Sequence, residues 1–80
     1  MLYFAWVRDA VGTGEEMIDP AEAATIADLL DRLADASAAH AAAFSDRARL
    51  RAALDQRFVP LDSPIAGARE IAIFPPVTGG

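Results

Sequence analysis

The sequence predicts one small α+β domain, a mixed sheet of about five strands with one main helix packed on one face and a short second helix. Three observations lead to this prediction. The chain has 80 residues, enough for a single core. A run near each end is apolar on both faces of an extended strand, as in central strands, and an apolar stripe at helical spacing lies between them. We expect residues 1–75 to form the domain and residues 76–80 a flexible C-terminal diglycine tail.

The first element is expected to be a central strand over residues 1–8. Alternate side chains of this run project to opposite faces, and both sets are apolar: Leu2, Phe4 and Trp6 on one face, and Tyr3, Ala5 and Val7 on the other. Residues 9–14 supply turn chemistry, and residues 15–18 form a shorter, more polar run. We therefore predict a hairpin whose second strand lies at the sheet edge.

The main helix has two possible starts. Asp19 could cap it with Pro20 at the first helical position, or Thr25 could cap it with Asp28 three residues later. We favour Thr25, because an apolar stripe begins directly after it at positions i, i+3, i+4 and i+7, namely Ile26, Leu29, Leu30 and Leu33.

A second, shorter helical segment is predicted over the alanine-rich residues 38–44, with the ring of Phe44 docked on the core. His40 lies within this segment. We expect it to be exposed or to cap the helix rather than to take part in catalysis.

The next stretch of the chain predicts a second hairpin. Residues 49–54 and 58–59 would pair across a turn at Asp55 and Gln56. Because proline cannot donate to a sheet ladder, Pro60 limits the return strand and places it at an edge.

The chain then reaches its final strand, residues 70–74, which is apolar on both faces and therefore expected to be central. Before it, Ile65 is expected to plug the core and Gly67 to redirect the chain with a positive φ. Placing the first and last strands side by side in the middle of the sheet, with the helix crossing one face, satisfies both apolar patterns. The predicted fold is a β-grasp, or ubiquitin-like, roll.

Composition disfavours several classes of function. The net charge is −5 and the seven basic residues, all arginines, are spread along the chain, which argues against a nucleic-acid partner. The absence of cysteine removes disulfides, thiolate nucleophiles and thiolate metal ligands, and His40 is the single histidine. No run is long enough to span a bilayer and no signal-like leader is found, so we expect no membrane partner and a cytoplasmic location.

The carboxylate side chains do not indicate a catalytic or metal site. Glu15 and Glu16 would point to opposite sides of a strand and so could not act together on one substrate. Asp28, Asp31 and Asp35 share a helix face, which without a pocket and further ligands is typical of a solvated surface. We expect no bound metal or cofactor.

The remaining candidate for chemistry is the terminal carboxylate of Gly80. It follows Phe74-Pro75-Pro76-Val77-Thr78-Gly79; the prolines stop the sheet ladder, and the glycines let another protein's backbone approach closely. When extended, residues 76–80 reach about 17 Å, at roughly 3.3 to 3.6 Å per residue. An α-carboxylate is ionised at neutral pH and is a poor electrophile, so a partner would have to activate it, for example by adenylation with ATP.

A recognisable sequence pattern is formed by four stretches: Ile-Phe-Pro-Pro-Val-Thr-Gly-Gly at residues 73–80, Tyr-Phe-Ala-Trp-Val-Arg-Asp at 3–9 with Val11 and Gly12, Leu-Asp-Gln at 54–56, and Val59 with Asp-Ser-Pro-Ile at 62–65. With this pattern the chain resembles, over nearly its full length, the small subunit of molybdopterin synthase, a ubiquitin-like sulfur-carrier family.

The resemblance implies a sequence of reactions at Gly80. An adenylyltransferase related to ubiquitin-activating enzymes would use ATP to form an acyl-adenylate, and a sulfur-donor protein would allow its conversion to a thiocarboxylate. The tail, with Gly79, Thr78 and Val77, would insert into the large catalytic subunit of a heterotetramer and give sulfur to cyclic pyranopterin monophosphate, forming molybdopterin. The carrier itself would be the non-catalytic sulfur donor.

The resemblance also implies that Phe74, Pro75 and Pro76 support the contact surface with the large subunit. Arg8 matches a family position whose role the resemblance does not define.

This sequence departs from the family at two turns. Asp55 stands where asparagine is usual, and residues 68–70 lack the usual glycine-acidic pair. Two other readings stay open. The chain could carry sulfur for thiamin, cysteine or tRNA thiolation, or it could be a β-grasp protein modifier or binding module that forms amide conjugates.

Overall fold

The computed structural model of the protein describes residues 1–18 and 23–76. Its strands are β1 (Leu2–Tyr3), β2 (Arg51–Leu54), β3 (Arg57–Val59) and β4 (Ile71–Phe74), and its helices are α1 (Ala5–Val11), α2 (Ile26–Ala36) and α3 (Ala38–Ala43), with a 3-10 turn at Arg47–Arg49. No helix within the described ranges is long and apolar enough to cross a membrane.

The four strands form one mixed sheet in the order β1-β4-β2-β3. β1 pairs with β4 in parallel, whereas β2 pairs antiparallel with both β4 and β3. The final strand is therefore central and lies beside the first, as predicted. The first strand itself is the outermost of the four, so the prediction that it would lie in the middle of the sheet is wrong.

The predicted edge strand at residues 15–18 is also wrong, because its pairing is reduced to a single bridge between Leu2 and Glu15. The Tyr3 amide donates to the Gly14 carbonyl at 3.0 Å, and the Glu16 amide donates to the Met1 carbonyl at 2.9 Å. β1 is only two residues long and offers no further partner, so a regular ladder cannot extend beyond this point.

The prediction of a strand over residues 1–8 fails after Tyr3, because the chain turns at Phe4 and continues as helix α1. Ala5 opens this helix with φ of +54°, a left-handed conformation that costs a non-glycine residue about 1 to 2 kcal/mol. Val7 is fully buried on α1, and Gly12 ends the helix with φ of +98°. A run that is apolar on all sides fits a short buried helix as well as a central strand.

Helix α2 begins at the cap favoured by the sequence. The Thr25 hydroxyl accepts a hydrogen bond from the Asp28 amide, and the Asp28 carboxylate accepts one from the Thr25 amide, both at 3.2 Å. Its buried residues are Ile26, Leu29 and Leu30, as the apolar stripe predicts. The alternative start at Asp19 and Pro20 lies outside the described residues.

Helix α3 follows α2 after one residue, because Ser37 ends α2 and caps α3 by accepting from the His40 amide at 3.4 Å. Phe44 directly follows α3 and is 1% exposed, which confirms its predicted docking on the core.

The second hairpin forms as predicted, although its first strand begins at Arg51 rather than residue 49. Asp55 and Gln56 connect β2 to β3, and their φ angles are +49° and +70°. Positive φ at both positions is typical of the type I′ turn, which forms the two-residue loop of many β-hairpins. β3 lies at the outer side of the sheet, as the following Pro60 indicated.

Helices and sheet enclose one cluster of buried side chains, which includes Tyr3, Leu30 and Ile73. Ile65 belongs to this cluster at 4% exposed, and Gly67 has φ of +81°, so both predictions are confirmed. A mixed sheet wrapped against α2 is the predicted β-grasp arrangement.

Candidate functional site

The carboxyl end of β4 is where the predicted functional tail leaves the sheet. Phe74 is the last residue of the strand, and Pro75 and Pro76 follow it, all three half-buried. Val77, Thr78, Gly79 and Gly80 lie outside the described residues, so their roles, and the predicted division between the domain and residues 76–80, stay predictions.

The outward face of the sheet at this point is apolar. Cross-strand pairing places Ala53 of β2 opposite both Ala72 of β4 and Phe58 of β3, and opposed residues of neighbouring strands share one face. The two alanines are 5% and 7% exposed. They form the floor of a shallow depression whose aromatic lining consists of Phe4, Phe58 and Phe74.

We call these five residues (Phe4, Ala53, Phe58, Ala72 and Phe74) the aromatic face. The rings of Phe58 and Phe74 lie 5.4 Å apart between centroids at an angle of 44°, within the range of favourable aromatic contacts. Phe58 is 78% exposed and Phe4 48% exposed. Large apolar side chains that cluster on the surface in this way typically mark a binding site for another protein.

The resemblance implied that Phe74 supports a contact surface, which stays a prediction, but it did not point to Phe58 or Phe4, which the structure places beside Phe74. The hairpin itself contained the signal for Phe58. A two-residue turn fixes the register, so Phe58 must share a face with Ala53, while the more buried Val59 points to the other side. Phe4 was hidden by the incorrect strand prediction for residues 1–8.

Two arginines flank the carboxyl end of β4. Arg51 lies directly opposite Phe74, and its Nη1 donates to the carbonyls of Leu50 and Ala48 at 2.8 and 3.1 Å. The guanidinium carbon of Arg49 lies 5.0 Å from the centroid of the Trp6 ring, close enough for a cation–π interaction.

On the inward side, Glu16 joins three elements. Its Oε1 accepts a hydrogen bond from the Tyr3 hydroxyl at 2.7 Å and lies 2.6 Å from His40 Nε2. Burial raises the pKa of Glu16, but the hydrogen bonds with His40 and Tyr3 outweigh it, so the pKa is lowered overall. Burial and the bond to Glu16 raise the pKa of Tyr3 above its ordinary value.

The expectation that His40 is exposed or caps a helix is wrong, because its side chain is only 12% exposed and is paired with Glu16. Its ring packs edge-on against Tyr3, with centroids 6.3 Å apart, and near Phe44 at 5.8 Å. Nδ1 is buried without a hydrogen-bond partner among residues 1–18 and 23–76. Nε2 is therefore the nitrogen through which the ring is hydrogen-bonded, and its bond to Glu16 connects α3 to the amino-terminal segment.

Asp55 fastens the β2–β3 turn to the start of β4. Its Oδ1 accepts hydrogen bonds from the amides of Arg69 and Glu70, both at 2.9 Å. The bond from Glu70, followed by that from Arg69, lowers the pKa of the Asp55 carboxyl. An asparagine, which is usual in the resembled family, also offers one oxygen for these bonds, so this departure keeps the turn chemistry.

The other candidate groups do not converge on a site. Glu15 is exposed whereas Glu16 points inward, so the two carboxylates act separately, as predicted. Arg8 is exposed and lines a shallow depression with residues 12–14. Across the described part of the chain, no three His, Asp or Glu side chains are grouped closely enough to hold a metal ion.

Fold and surface together define a class of protein, a β-grasp domain whose central strand leads out beside an exposed aromatic face. The chain belongs to the ThiS family, whose model matches residues 1–80.

Individual relatives agree with this assignment. The chain is 40% identical over 80 residues to the molybdopterin synthase sulfur carrier subunit of Escherichia coli strain K12 and 34% identical to the protein of the same name from Haemophilus influenzae strain Rd. Each alignment covers 100% of this chain and 96% of the relative. Among solved structures, SAMP1 from Haloferax volcanii superposes with a TM-score of 0.69 at 27% identity, over 99% of this chain and 94% of that one. The predicted β-grasp fold class and the predicted family are confirmed.

Proposed function

We propose that this chain is the sulfur-carrier subunit of a molybdopterin synthase. The observation that carries the proposal is the full-length similarity to two proteins with this name, at 40% and 34% identity. The catalytic large subunit of the same synthase is then its partner.

The chemistry proposed for this chain takes place at the carboxylate of Gly80. An activating enzyme joins this carboxylate to the α-phosphate of ATP and releases pyrophosphate, which converts a poor electrophile into a mixed anhydride. A sulfur-donor protein then provides sulfur at the oxidation level of sulfide, which attacks the acyl carbon, releases AMP and gives a thiocarboxylate. In the synthase this sulfur bonds to cyclic pyranopterin monophosphate, and water then cleaves the acyl–sulfur bond, which returns the carrier to its carboxylate form. Two such transfers supply the two sulfur atoms of one dithiolene. In this scheme ATP binds to the activating enzyme, and the carrier holds no cofactor.

The aromatic face supports the proposal because it offers a docking surface beside the point where the tail begins. Phe74 belongs to this face and is followed by Pro75 and Pro76. Residues 76–80 can reach about 17 Å from the fold when extended, so docking through the face leaves enough chain to enter a partner's active site. Apolar anchors of this kind supply most of the binding energy in protein interfaces.

The proposal is tested by reconstituting sulfur transfer with purified components. Carrier protein is treated with the activating enzyme, ATP and a sulfur donor, then mixed with the catalytic subunit and cyclic pyranopterin monophosphate, and molybdopterin is measured by the fluorescence of its oxidised derivative. We expect product with the full chain and none with a variant that lacks Gly80.

Two controls make this test decisive. The variant without Gly80 should show an unchanged circular dichroism spectrum and should still bind the catalytic subunit, because its aromatic face is intact. The absence of molybdopterin in this assay, together with thiazole or thiolated tRNA when the enzymes of thiamin synthesis or tRNA thiolation are supplied instead, would contradict the proposal. Amide adducts that survive a thiol reductant would also contradict it and favour a protein modifier.

A further inference from the structure

We infer that Trp6, Arg49 and Arg51, together called the basic edge, form a second recognition element, which binds carboxylates at the mouth of the catalytic subunit's tail-binding channel. This inference rests on the proposed function and adds to it the chemistry by which the partner is selected. The aromatic face supplies apolar contact, whereas the basic edge supplies charge.

The topology places the basic edge around the base of the tail. Arg51 is the register partner of Phe74, the last residue of β4, and Arg49 precedes it by two residues. On the other side of β4, β1 pairs in parallel through Tyr3 and Ile73, and Trp6 follows β1 at the start of α1. The contact between Arg49 and Trp6 therefore joins the two segments that flank the end of the central strand.

The two guanidinium groups are already positioned for an anionic partner. The Arg49 guanidinium lies over the Trp6 ring, and Arg51 donates to two backbone carbonyls. Both residues are exposed, and neither lies within ion-pair distance of a carboxylate among residues 1–18 and 23–76. A prepositioned arginine loses little conformational freedom when it forms a bidentate bond to a carboxylate.

Arg47, in the same stretch, has a different role. Its Nη2 donates to Asp31 Oδ1 at 2.8 Å and its Nε donates to the Phe44 carbonyl at 2.7 Å. This arginine is used inside the domain to fasten the 3-10 turn to α2. Of the three closely spaced arginines, two are thus left to face outward near the tail.

Charge complementarity identifies the occupant as an acidic segment. The whole chain carries a net charge of −5, so a local pair of positive groups stands out from its surroundings and would repel a basic partner surface. An apolar groove also begins at Arg51 and is lined by Phe58, Val59, Pro60 and Phe74. The surface therefore fits a segment of the catalytic subunit that carries a carboxylate next to an apolar side chain.

The experiment compares charge reversal at the basic edge with charge reversal elsewhere. The affected variant is Arg49→Glu/Arg51→Glu, and the matched control is Arg32→Glu, an exposed arginine on α2. Binding of each full chain to the catalytic subunit is measured by isothermal titration calorimetry at low and high salt. We expect the affinity of the double variant to fall by about tenfold or more, and its dependence on salt to be smaller or inverted. The affinity of the control should equal that of the wild type.

A neutral pair of substitutions, Arg49→Gln/Arg51→Gln, guards against an effect on folding. It should give an intermediate loss of affinity with an unchanged circular dichroism spectrum.

The inference would be overturned if the double variants bound the catalytic subunit as tightly as Arg32→Glu does at both salt concentrations. In that case, sulfur transfer by the wild-type chain would still support the proposed function. If the wild-type chain neither binds the catalytic subunit nor transfers sulfur to it, the proposed function fails and the inference fails with it.

Discussion

The two faces of the sheet have opposite properties although neighbouring residues supply them. Ile73 points inward and has no exposed surface, whereas Phe74, the next residue, points outward and contacts the exposed ring of Phe58. The inward face is closed by helices. The outward face of the described sheet is covered by no helix and carries rings that no part of the described chain buries completely.

Residues on the inward face stabilise the fold, whereas residues on the outward face are available to bind a partner. Burying an inward side chain contributes to folding, because it removes apolar surface from water within the chain. An exposed ring such as Phe58 contributes little to folding, and its apolar surface can be removed from water only by a partner. An 80-residue chain has a small core. Apolar residues that lie on its surface therefore reduce the apolar area that folding buries.

The largest effect is expected from the inward face. Ile73→Ala removes a fully buried side chain at the centre of the sheet and should lower the free energy of unfolding by about 2 to 5 kcal/mol. Urea denaturation followed by circular dichroism measures this change. A loss below about 1 kcal/mol would mean that the core closes around the cavity and that the inward face contributes less than its burial indicates.

On the outward face the expected result is the reverse. Phe58→Ala should change the free energy of unfolding by no more than about 0.5 kcal/mol yet weaken binding to the catalytic subunit by about 2 kcal/mol, as for an interface anchor. Met17→Ala is the matched control, because Met17 is 96% exposed and is not part of the aromatic face. Unchanged affinity in Phe58→Ala would remove the aromatic face from the docking surface.

Some elements on the two faces of the sheet could be predicted from the sequence, and others could not. Apolar residues on both faces of residues 70–74 indicated a central strand, which the β-branched Ile71 and Ile73 favour, and Thr25 with Asp28 indicated the favoured of two helix starts. The same two-sided apolar pattern in the first eight residues left two structures open. Their apolar side chains suit a strand or a short buried helix equally. The helix begins at Ala5 in a left-handed conformation that alanine does not favour, so the sequence gives no sign of the turn. Gly12 was the one signal for the helix end.

An effect of about 1 kcal/mol is expected at Glu16, which connects the inward Tyr3 to His40. Because the folded-state pKa of Glu16 is lowered, its stabilisation is fully present above the unfolded-state pKa and is lost as the pH falls through the folded-state value. Glu16→Gln should therefore reduce stability at neutral pH and flatten the acid limb of the pH–stability curve. Denaturation at a series of pH values measures both. A variant whose acid limb equals that of the wild type would rule out this role.

The smallest effect is expected at Asp55. Asp55→Asn keeps an oxygen for the amides of Arg69 and Glu70 and tolerates the positive φ. Because it keeps the hydrogen bonds and loses only the charge, this variant should unfold at neutral pH at a slightly lower temperature than the wild type. Asp55→Ala loses both bonds and must unfold at a lower temperature. Since the pKa of Asp55 is lowered, the contribution of its charge is present above the unfolded-state pKa and disappears in acid. A large loss in Asp55→Asn at neutral pH would show that the charge itself is required.

The proposed functional surface was harder to predict than the fold. Phe74 was named through the resemblance, but Phe58 and Arg51 depend on strand register, and Trp6 depends on a helix that the sequence pattern did not distinguish from a strand. The residues indicated the carboxylate of Gly80 as the candidate reactive group, whereas the sulfur proposed for it came from a resemblance. A terminal carboxylate beyond two prolines explains how sulfur could be presented but does not select sulfur over another group.

The most direct test of the carrier role is the intact mass of the protein after treatment with its activating enzyme, ATP and a sulfur donor, with the Escherichia coli relative treated in parallel. We expect a mass increase equal to the replacement of one oxygen by sulfur, confined by fragmentation to Gly80 and reversed after transfer to the catalytic subunit. An unchanged mass under conditions that convert the relative would contradict the carrier role.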